Sequence, residues 1–370
     1  MGCRGGQSAP TMSAKTDAPG LMPSQPPLPV DAFLALRGPL IDVRSPAEFS
    51  QGHLPGALNL PLFNDDERSC IGTLYKHQGR SAAVLQGLEL VGPRLAQMAN
   101  SLLELAGSNA SELRLYCWRG GMRSGSVAWL AETSGLHCHL LEGGYKTFRR
   151  WVLASFERPW PLVLLGGRTG SGKTELLQAL ENQGGSVIDL EGLAHHRGSS
   201  FGGLGMAPQP STEHYENRLA MALYRCAAEA APIWLEAESA QVGRCRIPAG
   251  LWRQMQEAPV VELQRSDDER VQRLVGVYGD QGEEALSEAT RRISKRLGPQ
   301  RTALALEAIA NGDMAAACRH MLDYYDRCYD HELLGRSQAP RLQLDGSTQS
   351  DRSLATQLLQ WQSEQTWKLD

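Results

Sequence analysis

Short apolar runs, each closed by a glycine-rich or polar turn and followed by helical spacing, recur from about residue 30 onward. In the first half they predict strands over 40–43, 57–60, 113–116 and 139–141. The intervening helices fall over 31–36, capped by Asp31, then 82–105 with a break near Gly92-Pro93, 124–132 and 145–156. In the second half strands are expected over 162–165, 187–190, 233–235 and 260–263, with helices over 173–181, 212–228, 251–257 and 268–278. From 283 to about 334 the pattern is helical only, and a strand over 341–344 and a terminal helix close the chain. Strands alternating with helices predict an α/β fold, here two parallel-sheet domains followed by a helical C-terminal region. Arg158-Pro159-Trp160-Pro161 is the natural seam, giving domains over 28–157 and 158–370. Residues 1–27 are rich in Pro, Ser, Gly and Ala without apolar period and read as a disordered tail.

A length of 370 residues is too great for one core, which supports two domains. The net charge of -4 gives no global attraction to nucleic acid, so such a partner would need a local basic surface. No apolar run approaches the ~20 residues that cross a bilayer. The stretch before Pro23 lacks the apolar core of a secretory signal, and Gly6 breaks the acylation pattern that Met1-Gly2-Cys3 would begin. The expectation is a cytoplasmic protein without membrane contact. Its 8 cysteines show no C-x-x-C pair, which argues against zinc and thioredoxin-like chemistry. Seven of them read as ordinary reduced thiols, and no resident metal is expected.

The eighth cysteine changes the picture. Cys117-Trp118-Arg119-Gly120-Gly121-Met122-Arg123-Ser124 follows an apolar run directly and leads into a helix. Inward-facing N–H groups at a helix N-terminus lower a thiol's pKa and can hold an anion, and Arg119 and Arg123 add positive charge. A Cys117 side chain packed away in hydrocarbon would contradict this reading. The second loop, Gly167-Arg168-Thr169-Gly170-Ser171-Gly172-Lys173-Thr174, matches the P-loop pattern in full, between a strand and a helix. Lys173 should reach terminal phosphate oxygens, and Thr174 is placed for Mg²⁺ if a metal is used. The motif does not distinguish a nucleoside triphosphate from a prenyl diphosphate.

Further candidates are weaker. Asp189 and Glu191 follow one predicted strand and Glu236 and Glu238 another, where ligands of open α/β sheets bind, though solvated loop charges would look the same. Arg197 lies in the loop after Glu191, and His195-His196 have no partner spacing for a metal. Arg291, Arg292, Lys295 and Arg296 on one helix would make a face for RNA phosphates, or a solvated surface paired with Glu283, Glu284 and Glu288. Tyr324 and Tyr325 are read as core, not as base-stacking residues.

Asp42-Val43-Arg44-Ser45-Pro46-Ala47-Glu48-Phe49, Gly52-His53-Leu54-Pro55-Gly56-Ala57 and the Cys117 loop, in this order, resemble the rhodanese domain. The chain departs from the common C-x-x-G-x-R loop, since five residues separate Cys117 from Arg123, the spacing of the related Cys-dependent phosphatases. Rhodanese followed by P-loop resembles the tRNA 2-selenouridine synthase family. Three segments sharpen the match: Asn64-Asp65-Asp66-Glu67-Arg68 leading into 72–79, Glu142-Gly143-Gly144-Tyr145-Lys146, and 189–202 with its Glu-Gly-Leu-Ala-x-His-Arg-Gly-Ser core. The resemblance implies replacement of sulfur by selenium at C2 of a wobble 2-thiouridine in tRNA. Geranyl diphosphate would alkylate the sulfur first, and selenophosphate, from a supply enzyme, would then deliver selenium. It implies no tightly bound cofactor, Cys117 serving the selenium step either as a covalent perselenide or as a guide for selenophosphate. The rival readings are a persulfide sulfurtransferase fused to an ATP-dependent kinase, a Cys-dependent phosphatase lacking an evident general acid, and a non-catalytic module with a regulatory nucleotide site.

Overall fold

The structure, a computed structural model, describes residues 25–107, 112–227, 231–336 and 339–365. The expected tail lies outside these residues up to position 24, as do Cys3 and the expected helix end at Ala228. In chain order the first elements are α1 (Val30–Ala35), β1 (Leu40–Asp42), α2 (Pro46–Gln51), β2 (Leu58–Asn59), α3 (Asp65–Val91), α4 (Leu95–Ala106), β3 (Glu112–Tyr116), α5 (Met122–Thr133), β4 (His137–Leu140) and α6 (Gly144–Ser155). The strands form a parallel sheet in the order β2-β1-β3-β4. Ile41, Leu113 and Leu115 are fully buried and pack with Leu102 and Val127 from the covering helices. Register sets Asp42 opposite Tyr116, which brings the end of β1 beside the Cys117 loop.

Two details differ from the sequence expectation. Asp31 does not cap α1, whose N-cap is Pro29. The long helix starts at Asp65, not near 82, because Asn64 and Glu67 exchange hydrogen bonds in a capping box. Arg94 then grips Glu67 at 2.8 and 2.6 Å and donates to the Leu62 carbonyl at 2.7 Å. Gly79, at φ 86°, kinks the helix where any other residue would be strained.

The second set runs β5 (Leu162–Gly166), α7 (Lys173–Glu181), β6 (Ser186–Ile188), α8 (Leu190–Ala194), α9 (Thr212–Cys226), β7 (Ile233–Glu236), β8 (Gln241–Val242), β9 (Cys245–Arg246), α10 (Ala249–Glu257), β10 (Val260–Gln264) and α11 (Asp267–Tyr278). Then come α12 (Glu283–Arg292), α13 (Ser294–Leu297), α14 (Pro299–Ala310), α15 (Met314–Leu334), β11 (Leu342–Asp345) and α16 (Asp351–Glu364). Its parallel sheet has the order β11-β10-β5-β7-β6, and β8-β9 is a small antiparallel hairpin. All five residues of β5 are buried, as a central parallel strand covered on both faces requires. Because β5 sits between β10 and β7, the crevice at its carboxyl end is the switch point at which such sheets bind ligands.

By backbone packing the chain divides into two units, one holding Leu58–Tyr145 with the residues up to Ser45, the other Pro46–Ala57 and Lys146–Asp370. Within the second unit, the Phe49 and His53 rings stack at 3.7 Å and His53 lies 3.9 Å from His214 on α9. Asn217 Nδ2 donates to the His53 carbonyl at 2.9 Å. No helix among the described residues is long and apolar enough to cross a membrane.

Candidate active site

The thiol loop turns from β3 into α5 over Cys117 to Gly121. Gly120 sits at φ 63°, and a Cβ there would lie 2.7 Å from the Leu141 carbonyl oxygen. Gly144, at φ 60°, is tighter still: its Cβ would meet the Cys117 carbonyl oxygen at 2.3 Å. Tyr145 N–H donates to that same carbonyl at 2.9 Å. So the Gly143-Gly144-Tyr145 turn closes against the loop backbone. The Tyr145 ring is in turn held by Arg44, whose guanidinium stacks 3.8 Å from its centroid and is forked onto Asp42 at 2.6 to 3.0 Å. Both Arg44 and Asp42 are fully buried, so the pair is protected from solvent screening.

Cys117 itself is 3% exposed and belongs to the first core. This goes against an open nucleophile, but the sulfur is not surrounded by hydrocarbon alone: the buried Ser124 hydroxyl, one turn into α5, donates to Sγ at 3.2 Å. The α5 N-cap is Gly121, with no side-chain cap, so no side-chain cap takes up its first-turn N–H groups. Arg119 is exposed and Arg123 half-buried on the same turn.

In the phosphate loop Gly167, Gly170 and Gly172 take φ of 150°, 80° and 89°. A Cβ on Gly167 would lie 2.7 Å from the Leu263 carbonyl oxygen, so glycine is required by space as well as by backbone angle. Lys173 Nζ donates to the Gly167 carbonyl at 2.9 Å, spanning the loop from the first turn of α7. Thr174 is exposed beside it, and Ser171 is buried with an unpartnered hydroxyl. Gly172 caps α7 without a side chain, as Gly121 caps α5. Two arginines brace the loop from outside: Arg265 Nε donates to the Ser171 carbonyl at 2.7 Å and Arg270 Nε to the Thr169 carbonyl at 2.9 Å. Each is anchored by acids, Arg265 on Asp351 at 2.6 Å and the buried Arg270 on Asp267 at 2.9 Å and on Asp326.

Register places Glu236 opposite Leu165, two residues before the loop. Glu236 is fully buried; Oε2 accepts from Leu190 N–H at 3.0 Å and Oε1 has no partner. Burial, then the charges of Asp189 and Glu191, push its carboxyl well above the usual carboxylate range. Glu191 is raised likewise by burial and by Glu238, against the pull of Lys173. The Glu191 and Glu238 carboxylates converge on Gly198, where a Cβ would lie 2.8 Å from an oxygen of each. Asp189 is exposed and caps α8 through Gly192 N–H at 2.6 Å. Glu191 therefore lies within electrostatic reach of Lys173, while Asp189 faces solvent.

A thiol loop and a braced phosphate loop are thus present in one chain. Residues 30–150 match the rhodanese-like domain, and 160–362 match the AAA domain of tRNA 2-selenouridine synthase. The latter match covers over half of the chain. The chain belongs to the tRNA 2-selenouridine synthase family. It is 37% identical over 330 residues to the tRNA 2-selenouridine synthase of Marinobacter nauticus, spanning 80% of this chain and 88% of that one. With the Pseudomonas fluorescens protein of the same name the identity is 40% over 333 residues, 81% and 89% of the two chains. With that of Salmonella arizonae it is 38% over 339 residues, 82% and 91%.

The other residues anticipated for this tRNA 2-selenouridine synthase family member are placed less simply. Arg197 Nη1 donates to the Leu204 carbonyl at 3.0 Å, and its guanidinium carbon lies 5.9 Å from the Tyr278 ring centroid, so it shapes the 195–209 loop. His195 Nε2 lies 2.9 Å from Arg218 and Nδ1 2.9 Å from the Pro208 carbonyl; since Arg218 can only donate, Nδ1 carries the proton. The four basic residues do not lie on one helix. α12 stops at Arg292 because Ile293 turns inward and is buried; α13 follows with Lys295 and Arg296, and Leu297 turns inward again. All four cations are exposed, and among the described residues Arg291 and Lys295 make no ion pair with Glu283, Glu284 or Glu288. Tyr324 and Tyr325 pack against a core formed by α12 to α15, as expected. Sequence reasoning missed Arg265 and Arg270; their signal was two arginines flanking the Ser-Asp-Asp-Glu turn after β10.

Proposed function

We propose that this protein replaces sulfur by selenium at C2 of a wobble 2-thiouridine in tRNA, in two steps served by the two loops. Family membership supports the tRNA selenation; the division into steps rests on the chemistry of the loops. In the first, the C2 sulfur attacks C1 of geranyl diphosphate and the diphosphate departs with the C–O bonding electrons. Lys173 and the uncapped N–H groups of α7 neutralise that leaving group. Alkylation turns a poor leaving group into a good one. In the second, the selenium of selenophosphate attacks C2, the geranyl thiolate leaves with the C–S bonding electrons, and water cleaves the Se–P bond to release inorganic phosphate.

Cys117 serves the second step. Its sulfur is buried and hydrogen-bonded by Ser124, beside the turn whose N–H groups and arginines would hold selenophosphate. The basic residues of α12 and α13 supply the phosphate contacts that a protein of net charge -4 needs locally.

A divalent ion also fits the phosphate site. Thr174 is exposed at the loop, and the buried Glu236 has an unpartnered Oε1. Mg²⁺ is an ion that commonly keeps waters and phosphate oxygens among its ligands and takes few from the protein. Bound there, it would add positive charge at the departing diphosphate.

The observation that carries the proposal is the coexistence of a Cys-headed anion loop and a complete phosphate loop in a chain of this family. The test is mass analysis of wobble nucleosides after thiolated tRNA is incubated with geranyl diphosphate and selenophosphate. S-geranylated and then selenium-containing nucleoside should appear without ATP. ATP-dependent turnover requiring Lys173, with no geranylated product, would instead favour the kinase reading.

A further inference from the structure

An almost wholly apolar cavity, enclosing about 530 Å³ with its open mouth included, adjoins the phosphate loop. Thr169 of that loop lines it, followed by Leu274 and Val275 of α11 and by Met321 and Leu322 of α15. The junction is close: a Cβ on Gly170 would lie 3.1 Å from Leu274 Cγ. The wall offers little to a polar ligand. The Tyr278 hydroxyl is bonded to Ser199, and the Tyr325 hydroxyl accepts from Ser200 N–H at 3.3 Å. Cys318, 8% exposed, also lines the cavity, and burial pushes its thiol up to about 11, so at neutral pH it is an uncharged, hydrocarbon-like surface.

A purine base recognised here would need hydrogen-bond partners that this wall has already committed elsewhere. A hydrocarbon chain needs none. We propose that the cavity receives the isoprenoid chain of a diphosphate ester whose head lies in the phosphate loop, with Leu274, Met321 and Leu322 setting the chain length accepted. This rests on reading the loop as a diphosphate site. It adds the reason a phosphate loop in this chain selects a prenyl ester over a nucleotide: the loop binds the oxygens common to both, and the cavity discriminates.

The test compares calorimetric binding of inorganic diphosphate, dimethylallyl diphosphate and geranyl diphosphate to the full chain. Affinity should rise with chain length, at least tenfold from inorganic to geranyl diphosphate. Met321→Trp, which fills the cavity, should weaken geranyl diphosphate at least tenfold and leave inorganic diphosphate within twofold. Where that variant does not fold, the wild-type thiol gives the same information: geranyl diphosphate, and not inorganic diphosphate, should slow alkylation of Cys318 as read by peptide mass spectrometry. Equal affinity for the three ligands, an indifferent Met321→Trp, or unprotected Cys318 would overturn the assignment while leaving the diphosphate loop intact. Loss of the loop reading looks different: none of the three diphosphates would bind in a manner that Lys173→Ala weakens, and both proposals would fall together.

Discussion

The thiol loop and the phosphate loop share a plan, a buried strand, a glycine turn and a helix without a side-chain cap, yet they are held by different means. The thiol loop is closed mainly by backbone: Gly144 and Tyr145 press on the Cys117 carbonyl, and one buried ion pair, Asp42–Arg44, fixes Tyr145. Its reactive atom already has a hydrogen bond, from Ser124. The phosphate loop is held by long side chains from outside, Arg265 and Arg270, and it retains buried polar atoms without partners, Ser171 Oγ and, beside it, Glu236 Oε1. Buried polar groups that go unpaired cost stability. The difference teaches that the thiol is hydrogen-bonded within the protein, whereas on the function proposed above the buried polar atoms of the phosphate loop would face its ligand.

The largest effect is expected where the phosphate loop depends on one buried charge. Arg270 is 1% exposed and joins Thr169, Asp267 and Asp326, so Arg270→Ala would leave Asp326 only the half-exposed Arg168 at 3.7 Å and cost about 3 kcal/mol, the lower end for a broken buried pair. Urea unfolding should show it, and a loss under 1 kcal/mol would mean the brace is dispensable. Next come the reacting groups themselves. Lys173→Ala should slow geranylation by roughly a hundredfold or more, while tRNA supplied already geranylated should still accept selenium. Cys117→Ser should do the reverse, cutting selenium insertion to a similar degree with geranylation within twofold. If Cys117→Ser stops both steps in a folded protein that still binds tRNA, the loops do not divide the work.

A smaller substitution separates backbone closure from side-chain bracing. Gly144→Ala places a methyl 2.3 Å from the Cys117 carbonyl oxygen at a left-handed φ of 60°. The loop must shift, at a cost of about 1–3 kcal/mol. Selenium insertion should fall and geranylation should not. A normal selenium step in this variant would show that the turn at 142–145 is a spacer only.

Both loops were legible in the sequence because glycine spacing encodes backbone geometry directly, and because an apolar strand preceded each. The expected sheet strands were also found, since buried parallel strands are nearly continuous apolar runs. What escaped has physical reasons. The first half of α3 carries charge and little apolar period, and only the reciprocal Asn64–Glu67 cap reveals where it begins. The break at Ile293 follows from two inward-facing residues, Ile293 and Leu297, four apart among cations, which the eye reads as one basic helix. Arg265 and Arg270 act across a long sequence separation, on carbonyls that no local pattern marks. The burial of Cys117 is a tertiary fact, since its loop backbone is closed by a turn at 143–145 that lies beyond the next helix and strand.

The smallest effect tests whether the acids beside Lys173 are strained by design. Glu236 is held neutral more readily in the folded chain than in the unfolded one, chiefly by burial, then by Asp189 and Glu191. A carboxyl with a raised folded pKa contributes fully below its unfolded value and loses that contribution as pH climbs toward the folded value. Near pH 4 the wild type and Glu236→Gln should therefore melt together. Above that range the variant should gain, reaching a few degrees in Tm at pH 8, on the scale of roughly 2–4 °C per kcal/mol for a chain of this size. The same substitution should weaken geranylation, because a bound Mg²⁺ would draw the Glu236 carboxyl into its ionised form, which an amide cannot supply. Equal melting across the whole range would mean that Glu236 finds its compensation inside the fold, and the contrast between a self-satisfied loop and a ligand-completed one would lose its strongest support.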